Sequence, residues 1–199
     1  MKNSALNHFK KVDPVLYEIA REIDLADLVK PEDFFVDLVD SITSQQLSGK
    51  AAATIFGRLK ELYPNGKITP EQTIKMDTEK IRGAGLSYSK IKYIKGIAQA
   101  VIDKEIDLNK LDKLSDEEVI NELVKLKGVG VWTAEMFLMF TLLRQDIFSA
   151  GDLGLQNAMI KLYKLEDKPT KEKLLEISSR WSPYRTMASR VLWKSLEKN

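Results

Sequence analysis

The sequence predicts an all-α protein, and three observations lead there. Apolar residues recur at helical spacing along most of the chain. Capping residues and glycine or proline stops punctuate these runs, and no stretch sustains a period-two alternation. About ten helices follow from these signals. Asp13-Pro14 opens the first, with Val15, Leu16, Ile19, Ala20 and Ile23 inward and Pro14 where a helix needs no N–H. Pro31 starts a second, with Phe34, Phe35, Leu38, Val39 and Ile42 on one stripe. Ser48 caps a third that buries Ala52, Ile55, Phe56 and Leu59 and stops at Pro64-Asn65-Gly66. Thr69-Pro70-Glu71 opens a short fourth. The turn Gly83-Ala84-Gly85 precedes a long fifth with Ile91, Ile94, Ile97 and Val101 in register. Ser115 with Glu118 reads as a capping box on the sixth, which runs into Gly128 and Gly130. A seventh continues to the neighbourhood of Leu143 and an eighth spans Asp152 to Tyr163. Two more begin near Thr170 and Ser182.

Composition narrows what such a protein can do. A chain of 199 residues accommodates one large domain or two small lobes. Its 31 basic and 29 acidic residues leave a net charge of +2, so any nucleic-acid contact must come from a few placed groups rather than a basic field. The absence of cysteine excludes disulfides, thiolate zinc sites and an iron–sulfur cluster. With His8 as the one histidine, near the start, no histidine metal site or triad is expected. No apolar run reaches membrane-spanning length, and MKNSALNHFKK lacks the core of a signal peptide. The expectation is a soluble, cytoplasmic monomer that does not engage membranes. The irregular stretch Arg144 to Gly151 suggests a hinge. It would divide a central lobe (33–136, ending in two helices joined by the glycine turn at about 115–143) from a second lobe (1–32 plus 137–199). A cleft is expected where the two meet.

The segment LKGVGVWTA, Leu126 to Ala134, is the most informative in the chain. Its two glycines end one helix, and another begins at once. Such a turn leaves backbone N–H groups unpaired at the positive end of the second helix, a seat for a phosphate. Lys127 to Gly130 alone would more often be a tight connection, and Lys125 and Lys127 would more often be solvated. Asp152, in DIFSAGDLGL (Asp146 to Leu155), reads first as the N-cap of the following helix. A carboxylate there stays ionised, so capping is compatible with stabilising a developing cation. Asp146, ahead of Ile147-Phe148, reads as an exposed loop residue. Of three tryptophans, Trp181 reads as core, whereas Trp132 abuts the glycine turn and should face a cleft.

Five ordered segments resemble the alkylpurine (3-methyladenine II, AlkA-like) branch of the helix-hairpin-helix DNA glycosylases. They are SITSQQLSGKAAA (Ser41 to Ala53), GLSYSKIKYIKGIA (Gly85 to Ala98), LKGVGVWTA, DIFSAGDLGL and WSPYRTMASRVLW (Trp181 to Trp193). The resemblance implies two helical lobes with an interlobe active-site cleft. It makes Asp152 catalytic and gives Trp132 and Trp193 to the base pocket. Trp132 stands where bifunctional relatives carry a Schiff-base lysine. Met136 replaces a pocket tyrosine of some relatives. Leu47 becomes the residue that wedges into the DNA stack, with Gln46 beside it, although by itself Leu47 reads as a buried leucine. Lys127, Gly128, Val129 and Gly130 become the phosphate-binding turn, whose carbonyls can also hold a monovalent cation; no other cofactor or metal is implied. Helical signals begin by Asp13, so the β-rich N-terminal domain of larger bacterial members is not expected. The implied activity is monofunctional excision of alkylated purines from duplex DNA, as in base-excision repair. The alternatives are a glycosylase for oxidised or deaminated bases and a non-catalytic hairpin DNA-binding protein. Trp132 in place of lysine and the lack of cysteine weigh against the first. Asp152 weighs against the second, since a pure binder gains nothing from an anion facing DNA.

Overall fold

The computed structural model describes residues 2–166 and 168–197, and among these there are twelve α-helices and no strand. They are α1 (Lys2–Val12), α2 (Pro14–Ala20), α3 (Phe34–Ser44), α4 (Gly49–Glu61), α5 (Pro70–Lys75), α6 (Thr78–Gly83), α7 (Tyr88–Ile102), α8 (Asp116–Leu123), α9 (Val131–Met136), α10 (Leu153–Tyr163), α11 (Lys171–Ser179) and α12 (Arg185–Leu196). Short 3₁₀ turns cover Pro64–Gly66 and Leu108–Lys113, and a π turn, Phe137–Thr141, continues α9.

The all-α expectation holds, and the departures have local causes. Two helices carry too little periodic signal to be foreseen. α1 fully buries only Ala5 and Phe9, and α6 has six residues with Ile81 alone buried. The second predicted helix begins three residues late, because Asp33 rather than Pro31 starts it. The Asp33 carboxylate accepts the Phe35 and Val36 N–H groups at 2.8 and 3.2 Å. Val15 is exposed, and Ile55 and Phe56 are only half-buried, so α2 and α4 present narrower stripes than expected. The capping box at Ser115 and Glu118 is present.

The chain forms two compact units. Residues 30–137 make one, in which α7 packs against α3, α5 and α6, and α3 against α4. Leu38, Ile42, Ile91, Ile94 and Ile97 lie in its core. Residues 1–29 and 138–199 make the other, where α12 packs against α10 and α2 around Phe9, Leu16, Met159, Val191 and the fully buried Trp181.

This second unit is tied across the sequence by Asp13, a buried carboxylate. It caps α2 through the Leu16 N–H at 2.9 Å and accepts the Tyr163 hydroxyl at 2.7 Å and the Trp181 indole N–H at 2.8 Å. Burial, reinforced by this carboxylate, pushes the Tyr163 phenol far above its ordinary value. Asp13→Ala strands three donors, two of them on large interior side chains. We expect it to cost about 2–4 kcal/mol of stability. Urea unfolding is the measurement, and an unchanged midpoint would show that the network contributes nothing.

Candidate active site

In residues 30–137 the glycine turn joins α8 to α9. Leu126 and Val129 are buried and anchor it from below, so Val129 has only its backbone to offer a ligand. The two glycines are present for different reasons. Gly128 has φ +95°, and a Cβ there would lie 2.4 Å from the Tyr93 ring. Gly130 caps α9 at φ −95°, and a Cβ there would meet nothing within 4 Å. Gly128 is therefore demanded by the fold, and Gly130 is not. Lys127 is exposed, whereas Lys125 is paired with Glu122 at 2.7 Å, which offsets its charge.

α9 buries Thr133 and Ala134 and turns Val131 and Trp132 outward, Trp132 being 44% exposed. Met136 is half-buried one turn on, at the i+4 position where side chains of one helix meet. Leu47 is not the core residue its bland reading suggests, since it is 39% exposed at the tip of the loop between α3 and α4. Gln46 beside it is exposed and left-handed, at φ 59°.

Sequence reasoning missed two residues beneath that tip. Gln45 sends its side-chain amide to the Gly128 carbonyl at 3.1 Å and to the Thr133 hydroxyl at 3.2 Å. Lys90, on α7, donates to the carbonyls of Thr43 and Gln45, both at 2.7 Å. The duplicated glutamine in SITSQQLS and the lysine in GLSYSK were the available signals.

In the other unit Asp152 caps α10. Its Oδ1 accepts the Leu155 N–H and the Trp193 indole N–H, each at 2.8 Å. Gly154 makes room for this approach, because a Cβ there would lie 3.0 Å from Trp193 Cδ1 and 3.1 Å from Asp152 Oδ1. Trp193 is half-buried, with its ring centroid 6.0 Å from that of Phe140. Its indole edge is engaged with the Asp152 carboxylate.

One face of α12 splints the whole segment that ends in Asp152. Arg185 grips Asp146 with Nε at 2.8 Å and Nη2 at 3.1 Å, and Ser182 adds its hydroxyl at 2.7 Å. Thr186 donates its hydroxyl to the Arg144 carbonyl at 2.6 Å and accepts the Ile147 N–H at 3.0 Å. Trp193 completes the series two turns further along. Asp146 is thus half-buried and bidentately held, which corrects its reading as an exposed loop residue. Burial alone would raise its carboxyl. Arg185 and Ser182 together outweigh that and hold it below the ordinary value. With both oxygens engaged, Asp146 is a structural anchor of the segment.

Among the described residues no group of three or more His, Asp or Glu side chains is arranged to hold a metal ion. No helix among them is long and apolar enough to cross a membrane.

Residues 39–183 match the family of HhH-GPD superfamily base excision DNA repair proteins. The chain is 41% identical over 163 residues to DNA-3-methyladenine glycosylase 1 of Schizosaccharomyces pombe, covering 81% of this chain and 72% of that one. It is 32% identical to the DNA-3-methyladenine glycosylase of Saccharomyces cerevisiae, over 99% of this chain and 80% of the relative. Its fold superimposes on that of the S. pombe 3-methyladenine DNA glycosylase in complex with abasic DNA with a TM-score of 0.87. That match has 36% identity and covers 98% of this chain and 97% of the other.

Proposed function

Because the chain belongs to the HhH-GPD superfamily of base excision DNA repair proteins, we propose that it is a monofunctional DNA glycosylase that removes alkylated purines from duplex DNA. The observation that carries this reading is the setting of Asp152, a helix-capping carboxylate held by the Trp193 indole and backed by a splinted loop. A fixed anion of that kind stabilises positive charge without reorganising as the charge develops.

An N3- or N7-alkylated purine nucleoside already carries a positive charge. When its N-glycosidic bond breaks, the electron pair leaves with the base and neutralises it, and the sugar becomes an oxocarbenium-like cation. Asp152 stabilises that cation and accepts a proton from the water that adds to C1′. The products are a free base and an abasic site. Trp132 offers an exposed indole face to the flat, cationic base, which attracts it by stacking and by a charge–quadrupole term. Met136 flanks the same face. Trp193, which the resemblance gives to the base pocket, is better supported as the residue that orients Asp152.

The turn at Lys127–Gly130 takes a DNA phosphate through its backbone amides, and exposed Lys127 adds simple attraction. This economy suits a chain with a net charge of only +2. The carbonyl oxygens of the same turn are neutral donors of the kind that suits a weakly held monovalent cation. The Gly128 carbonyl already accepts from Gln45 and the Gly130 carbonyl from the Ala134 N–H, so such an ion would draw on their neighbours.

The test is base release from duplexes carrying 3-methyladenine, 7-methylguanine, hypoxanthine or 8-oxoguanine. Release of the first two with the strand left uncut is expected. With Trp132 at the hairpin position no amine there can form a Schiff base, so borohydride should trap no protein on the DNA. Efficient trapping, or release confined to 8-oxoguanine, would overturn the proposal.

A further inference from the structure

The loop that carries Gln46 and Leu47 is held from two sides by groups that touch neither a base nor the sugar in the reading above. α3 ends at Ser44, and its C-cap, Gln45, turns extended, so the last carbonyls of the helix lack the partners a longer helix would supply. Lys90 provides them from another helix, bringing one ammonium to the carbonyls of Thr43 and Gln45 at 2.7 Å each. A cation at the negative end of a helix is also favoured by the peptide dipoles. Lys90 is half-buried, and desolvation pulls its ammonium below the ordinary lysine value, so this position is not one a solvated lysine would choose. Gln45 is then fixed twice, its backbone by Lys90 and its side chain by Gly128 and Thr133 of the hairpin. Directly after it the chain turns left-handed at Gln46, the Leu47 N–H bonds back to the Ser44 carbonyl at 3.1 Å, and Ser48 caps α4. The outcome is an exposed apolar tip on a base clamped to the phosphate-binding turn.

We propose that Lys90 and Gln45 are positioning residues that hold the Gln46–Leu47 tip at a set distance from the hairpin, so that the tip enters the DNA stack as the hairpin takes its phosphate. This rests on the glycosylase reading and extends it to residues that contact no substrate. A tip fixed before binding does not have to be ordered during insertion. A loosened tip does, and fixing even one residue's backbone is a substantial entropic cost. The cost falls on opening the stack and not on the chemical step.

The experiment compares single-turnover release of 7-methylguanine from two duplexes, one with the lesion paired and one with it in an unpaired bulge. The bulged base needs little or no unstacking. Lys90→Met should slow release from the paired duplex by about tenfold, equivalent to ordering roughly one residue, and leave the bulged substrate nearly unchanged. Gln45→Leu should do the same, which keeps the test alive if either variant folds poorly; melting curves identify that case. Lys90→Met should also add little once Leu47 is already Ala, because effects that run through one element do not add. Equal losses on both substrates, no loss on either, or full additivity with Leu47→Ala would overturn the inference while the glycosylase reading stands. A wild-type protein that releases 7-methylguanine from neither duplex would instead overturn the glycosylase reading, and this inference with it.

Discussion

Asp152→Asn lowers single-turnover base release by about two to three orders of magnitude, the range in which a single preorganised electrostatic group contributes to catalysis. The substitution isolates charge from structure with little collateral change. Asparagine is as good an N-cap as aspartate, so the bond from the Leu155 N–H survives. Its side-chain oxygen also still accepts the Trp193 indole N–H. The melting temperature should therefore stay close to that of the wild type, and binding to an abasic-site duplex should be kept or improved as a negative charge is removed. Asp152→Ala would be a poorer probe, since it also costs roughly 1 kcal/mol of helix capping. A near-normal rate for Asp152→Asn would remove Asp152 from the chemistry.

The second large effect separates the two glycines of the hairpin. Gly128→Ala must place a Cβ at φ +95°, 2.4 Å from the Tyr93 ring. A left-handed alanine costs about 1–2 kcal/mol, and overpacking against an aromatic ring adds about 1–3 kcal/mol. We expect a lower melting temperature and a loss of DNA binding that does not depend on the lesion. Gly130→Val has no such internal conflict, because nothing lies within 4 Å of its Cβ. Its melting temperature should fall far less than that of Gly128→Ala, by no more than the poorer N-cap that valine makes, while binding to every duplex weakens, as the valine side chain blocks backbone from phosphate. A normal affinity in Gly130→Val would show that side chains rather than the backbone of this turn hold the DNA.

The sequence carries the elements and the carboxylate legibly, and much less of what supports them. Helix caps are local, so Asp13, Ser48, Ser115 and Asp152 can each be read from a few neighbouring residues, and each is found capping. Trp181 reads as core because a tryptophan at helical spacing usually is, and it lies fully buried. By contrast Gln45 and Gln46 are chemically identical neighbours. Which one faces the hairpin is decided by the left-handed turn at Gln46, and no composition rule announces that. Lys90 sits on a helix where a lysine ordinarily means solvent, and its partners lie more than forty positions earlier. Asp146 escapes a local reading for the same reason, since its fork is on Arg185, 39 residues later. α1 and α6 escape it because one or two buried side chains do not make a periodicity.

The ties at Asp13 and along α12 also govern the order in which a nascent chain acquires its structure. Residues 30–137 are contiguous and can condense while synthesis is still under way. The unit that contains Asp152 cannot, because its first helices must wait for partners as far along as Trp181, 168 positions after Asp13. Closing so distant a pairing is slow compared with local helix packing. The indole that fixes Asp152 emerges later still. A ribosome-bound intermediate would thus present a finished glycine turn well before the Asp152 carboxylate is set, and any chemistry that depends on that carboxylate would arrive only with α12.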